Sequence, residues 1–176
     1  MRKLLSTLAA MALVATPVVA QDHGADHKDP VTSTQAIQDQ FMGWIIAAAE
    51  QVSEADYAFK PVATVRTMGQ LFGHVANANY MICSTIRGQQ SPGTMDYETG
   101  SKAQIVAALK ASQAYCADAA KWGAEHHHDP VSLFGMKGDV TWGFNFNSSH
   151  NAEHYGNIVT YMRIKGMVPP SSQGGM

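Results

Sequence analysis

Between residues 141 and 165 the sequence places Trp142, Phe146, His150, His154, Ile158 and Met162 four residues apart. That spacing predicts one long helix carrying these side chains in a single inward stripe. Gly166 and the pair Pro169 and Pro170 supply its stop. Two imidazoles in the middle of an apolar stripe are costly to bury unless something satisfies their ring nitrogens. Other elements must therefore cover this stripe and provide a partner for both rings.

Three more segments have the periodicity to do so. Phe41, Trp44, Ile45, Ala48 and Val52 recur at steps of three and four, predicting a helix over residues 35–56 that Pro61 bounds. Thr67 followed by Gln70 reads as a capping box, opening a helix with Met68, Leu71, Phe72, Val75, Met81 and Ile82. Gly88 is suited to its C-terminal stop. Ser101 and Gln104 form a second cap-like pair, followed by Ile105, Leu109, Ser112, Cys116 and Ala119 on one side and Gly123 at the close. Residues 89–100 and 126–139 read as loop and irregular connection, and no segment shows strand alternation. Four helices of this length predict an all-α chain, a four-helix bundle, with the two long connections over the bundle ends shaping a pocket.

The start of the chain follows a different logic. Arg2 and Lys3 precede an apolar run from Leu4 to Ala20 that is interrupted by Pro17 and ends in small residues. This is the pattern of a secretory signal peptide, residues 1–20, cleaved near Ala20. The run is too short and too weakly apolar to read as a membrane anchor. Residues 21–34 then read as a flexible leader and residues 35–172 as the bundle. Export places the protein in the periplasm or outside the cell, with no membrane attachment after cleavage. The mature chain would keep 10 basic residues against 14 acidic ones, a balance that argues against a nucleic-acid partner. In an oxidising compartment Cys83 and Cys116, the only two cysteines, either close one disulfide between neighbouring helices or lie buried as small apolar side chains. Without CxxC or CxxCH, neither a four-sulfur metal site nor a c-type haem fits.

The histidines carry the chemical signal. His150 and His154 stand one helical turn apart, where one metal ion can accept both, although two satisfied core histidines would give the same pattern. His74 is the only histidine in the first three helices and has a similarly apolar neighbourhood, which makes it the candidate third ligand. Three imidazoles would leave coordination positions open for water or substrate. Asn77, Asn147, Asn157 and Glu153 stand at steps from which they could orient an imidazole or touch a substrate. Glu50 and Glu54 are candidate bases on the first helix. His126, His127 and His128 are consecutive on a loop and so point in different directions, as surface residues or weak metal binders.

Two stretches, FKPVATVRTMGQLFGHVANANYM and HNAEHYGNIVTYMRIKGMVPPSS, resemble the DinB/YfiT-like superfamily of small metal-binding four-helix bundles. The resemblance extends over about residues 35–172. It implies a DinB-type bundle whose metal ligands fall on His74, His150 and His154, holding one divalent ion such as Zn²⁺, Ni²⁺, Mn²⁺ or Fe²⁺. It also implies a small-molecule substrate and a homodimer as expectations. Relatives include thiol-dependent transferases and isomerases and a metal-dependent hydrolase, and export speaks against the thiol-dependent chemistry. The competing expectations are a metal-dependent enzyme of hydrolase or transferase type, a non-catalytic periplasmic metal-binding or buffering protein, and a structural bundle.

Overall fold

A computed structural model of the chain describes residues 29–173. The expected signal peptide, most of the leader, and His23 and His27 lie outside these residues. Four helices make up most of the described chain: α1 (Pro30–Gln51), α2 (Met68–Ile86), α3 (Lys102–Glu125) and α4 (Val140–Ile164). None of them is long and apolar enough to cross a membrane.

The helix starts follow local capping chemistry. Thr67 and Gln70 form a complete capping box at α2, and Ser101 and Gln104 form another at α3. α1 begins at Pro30, five residues before the expected start. Asp29 accepts hydrogen bonds from the Val31 and Thr32 amides, and Pro30 needs no amide partner at the first position. Asp139 caps α4 through the Trp142 amide. Gly88 and Gly166 leave their helices with φ of 63° and 73°, which a side chain would resist.

The expected irregular connection over residues 126–139 contains a short antiparallel hairpin, β1 (Pro130–Leu133) and β2 (Met136–Asp139). Phe134 and Gly135 turn it with positive φ at both positions, as a two-residue hairpin turn requires. At four residues each, the strands are too short for alternation to stand out in the sequence.

Around the bundle, α1 packs against α3 and α4, and α2 packs against the same two, so α1 and α2 are diagonal. Contacts fix the directions. Thr34 meets Asn145 and Gln51 meets Val168, so α1 and α4 run parallel. Tyr80 meets Tyr115 and Arg87 meets Asp118, so α2 and α3 also run parallel. Two consecutive parallel helices need a connection that returns the length of the bundle. Residues 87–101 make that return along α2, and do not lie over a bundle end as expected.

The core has two apolar halves. One gathers Met42, Ile45, Leu71, Phe72, Val75, Ile105, Leu109, Ile158 and Met162. The other gathers Val31, Ile82, Ala119, Leu133, Val140 and Phe144 around a disulfide between Cys83 and Cys116, whose Cα atoms are 5.4 Å apart. Between the halves each helix contributes buried polar groups: Gln38, Asn79, Ser112, and Asn147 with Asn151. Asn147 donates to Gln38 Oε1 at 3.1 Å and to the Cys83 sulfur at 3.4 Å.

The inward face of α4 departs from the expected stripe. Trp142, Phe146 and His150 are only half-buried, while Phe144, Asn147, Asn151, His154, Ile158 and Met162 are buried. At 3.6 residues per turn, each step of four advances about 40° around the axis. Residues linked by five such steps therefore wind about halfway round the helix and cannot all face the core.

Candidate metal centre

α2 and α4 run antiparallel and bring His74 opposite His150 and His154. His150 Nε2 lies 3.2 Å from His74 Nε2 and 3.1 Å from His154 Nε2. Among the described residues, this is the one group of three or more His, Cys, Asp or Glu side chains able to hold a metal ion, with ligand atoms within 4.8 Å of one another.

The outer ring nitrogens decide what the converging ones present. His74 Nδ1 faces Glu98 Oε1 at 3.1 Å, and Glu98 Oε2 accepts from Arg66 Nε at 3.0 Å. An ionised carboxylate only accepts, so the His74 proton sits on Nδ1 and a lone pair is left on Nε2. His150 Nδ1 faces Asn151 Oδ1 at 3.4 Å, while Asn151 Nδ2 donates to Asn79 Oδ1 at 3.0 Å. That geometry places the His150 proton on Nδ1 as well. Two lone pairs facing each other at 3.2 Å are repulsive without a cation between them. Tetrahedral coordination at about 2.0–2.1 Å separates ligand nitrogens by about 3.3 Å, close to the spacing here. The donor set therefore fits a divalent ion.

Electrostatics favour the same state. Burial holds all three imidazoles below their ordinary pKa, most strongly His154, which is lowered to about 4. For His154 the neighbouring His150 and His74 and the Arg66 guanidinium add to that effect. Neutral imidazoles are the form that binds metal.

Glu98 and Arg66 are absent from the sequence-level candidates. They flank the helix in loop segments, and nothing local ties Glu98 to a histidine 24 residues earlier. The tertiary structure does so through the returning connection. Tyr97 donates its amide to Asn77 Oδ1 at 3.1 Å, and Asn77 Nδ2 donates to Asp96 Oδ1 at 2.7 Å. Asn77 thus spends its side-chain hydrogen bonds on docking the turn that presents Glu98 and not on an imidazole.

The other candidates divide. Asn147 does not reach the histidines: it lies in the polar layer against Gln38 and the disulfide. Glu153 and Asn157 are exposed and line a cavity of about 670 Å³ that opens beside His154. Glu50 pairs with Lys110 at 2.6 Å and lines a different cavity with Glu54, so neither carboxylate belongs to this site. His126 stacks on Trp122 and pairs with Asp129, while His127 Nδ1 faces the Ala124 carbonyl. The rings of His127 and His128 lie 4.2 Å apart, but the three loop histidines do not form a group of three ligands.

Asn151 is buried and serves both His150 and Asn79. Asn151→Ala is expected to destabilise the protein by about 1–3 kcal/mol, because Asn79 Oδ1 and His150 Nδ1 lose their partner in the core. Denaturant titration of the metal-free protein checks this, and an unchanged midpoint would remove Asn151 from the account.

The fold and the histidine cluster together define a helix bundle with three imidazoles gathered between the neighbouring antiparallel helices α2 and α4. The chain belongs to the DinB superfamily, which its sequence matches over residues 45–158. Solved structures agree in fold. A DinB-like protein from Bacillus cereus ATCC 10987 superposes with a TM-score of 0.69 at 15% identity, covering 83% of this chain and 95% of its own. A DinB-like protein from Bacillus subtilis gives a TM-score of 0.63 at 19% identity, covering 82% of this chain and 99% of its own. No curated protein is similar enough in sequence to match.

Proposed function

We propose that the protein binds one divalent metal ion through His74, His150 and His154, and that it is a metal-dependent enzyme of hydrolase or transferase type. The observation that carries this reading is the convergence of the three imidazoles, two of which, His74 and His150, have outer partners that turn the Nε2 lone pair inward, while His154 Nδ1 is buried without a partner. A divalent ion held there would act as a Lewis acid, polarising a carbonyl or acidifying a water. The chain's own residues would do the rest. Glu98 and Asn151 hold two of the rings in the required tautomer, and Arg66 holds Glu98. The cavity beside His154 provides room for a substrate, and Leu71 and Val65 make part of its wall apolar. That cavity favours an enzyme over a buffering protein, which needs only an accessible site.

Elemental analysis of untagged mature protein tests the reading. About one metal ion per chain is expected, with loss from the His150→Ala, His154→Ala double variant. Metal that persisted in the double variant, or a reconstituted protein that held none, would refute it.

We also propose export to the periplasm or beyond, with cleavage near Ala20. The Cys83–Cys116 disulfide supports an oxidising compartment. Cell fractionation with intact mass should find the protein outside the cytoplasm as a chain beginning at Gln21, and a protein confined to the cytoplasm with Met1 retained would count against export.

A further inference from the structure

The cavity beside His154 contains one cationic side chain, and its placement bears on what the site accepts. Arg66 lies on the connection before α2, where its carbonyl accepts a hydrogen bond from the Tyr161 hydroxyl at 3.1 Å. This anchors the backbone of Arg66 to α4, the helix that carries His150 and His154. The side chain uses Nε for Glu98, is 43% exposed, and lines the same cavity as His154. Its two terminal nitrogens make no hydrogen bond among the described residues. Gln70 adds a second donor: its Oε1 accepts from the Thr67 amide in the capping box, which leaves the Nε2 amide for the cavity.

We propose that the Arg66 guanidinium is the anchor for a carboxylate of the substrate, so that the site takes small organic acids with a second donor group for the metal. The proposal rests on the three-histidine metal site being occupied. A guanidinium fork suits a carboxylate because it offers parallel N–H donors. Two carboxylates share the cavity and bear on the charge. Glu98 is already engaged by Arg66 and His74, whereas Glu153 is exposed at the edge. A divalent ion with Arg66 outweighs the two, leaving a site whose net charge favours an anion.

Calorimetric titration of the Zn²⁺-loaded protein supplies the test, with azide, acetate, malonate, succinate and glutarate as probes. Azide needs only an open metal position, and acetate can satisfy the metal or Arg66 but not both. At least one diacid is expected to bind about tenfold more tightly than acetate, the size of one charge-assisted hydrogen bond. Arg66→Gln, compared at the same Zn²⁺ occupancy as read by elemental analysis, should abolish that advantage over acetate. Glu98→Gln, which breaks the same ion pair but keeps the guanidinium, should preserve the advantage. Azide binding with no diacid preference would overturn the assignment of Arg66 while leaving the metal site standing. So would a diacid preference that survives in Arg66→Gln. Failure of the protein to take up Zn²⁺ would overturn the metal site and this inference together, and a loaded protein that binds none of the probes would overturn the inference alone. The comparison of acetate with the diacids uses the unmutated protein, so it stands even where a variant folds poorly.

Discussion

Replacing Cys83 and Cys116 together with alanine is expected to lower the folding free energy by about 3–4 kcal/mol, equivalent to about 10 °C in melting temperature. The bond links residues 33 apart in sequence, and in the chain-entropy account its main effect is to restrict the unfolded chain. Both cysteines are fully buried, so their loss also removes packing from the half of the core around Phe144 and Ile82. Asn147 would lose its contacts to both sulfurs and keep only Gln38. Thermal melts with and without reductant provide the check. Wild type should melt lower when reduced, and the double variant should show no response. Equal melting of oxidised wild type and double variant would show that the cross-link contributes nothing.

The second large effect concerns a glycine far from any turn. Gly73 stands in the middle of α2, beside His74. A Cβ at that position would overlap the Tyr97 carbonyl and lie 2.7 Å from the Glu98 amide. Those are backbone atoms of the turn that presents Glu98, and they cannot rotate away as the end of a flexible side chain would. Gly73→Ala should therefore push residues 96–99 off the helix despite the better helix propensity of alanine. A stability loss of about 1–3 kcal/mol is expected from overpacking. Metal affinity should fall by about 10- to 100-fold as Glu98 withdraws from His74. Glu98→Gln separates the two effects, since it should reduce metal affinity while leaving stability nearly unchanged. Competition titration against a chelator reads the affinity, and chemical denaturation reads the stability. Wild-type affinity in Gly73→Ala would mean that Glu98 does not set the His74 ring.

The site illustrates how far local patterns reach. His150 and His154 stand out because four residues make one turn, a relation any helix imposes on its own sequence. His74 stands out because it is the only histidine in the other three helical segments, but no local rule says that it faces the other two. Glu98 and Arg66 had no such mark. Each is an ordinary charged residue in a loop until the connection after α2 returns along that helix and lays Glu98 against His74. Asn147 shows the opposite failure. Its step of three from His150 suggested a role at the rings, but one turn along α4 is enough to direct it into the core, beside the disulfide.

What the sequence by itself determined is the set of structures governed by interactions within a few residues. The caps at Thr67 and Ser101, the stops at Gly88 and Gly166, the four helices and the one-turn spacing of two histidines all belong to it. The caps at Asp29 and Asp139 obey the same chemistry and were legible in principle. Tertiary structure alone decided that α2 and α3 run parallel, that Cys83 meets Cys116, and that a polar layer divides the core. It also decided which sector of α4 faces inward, since a spacing of four drifts around the axis and only the packing of neighbouring helices selects the buried arc. The physical reason is range. Capping and helix periodicity act over three or four residues, whereas the contacts that assemble His74, Glu98 and Arg66 around His150 and His154 join positions up to 88 apart, and their geometry exists only once the bundle has closed.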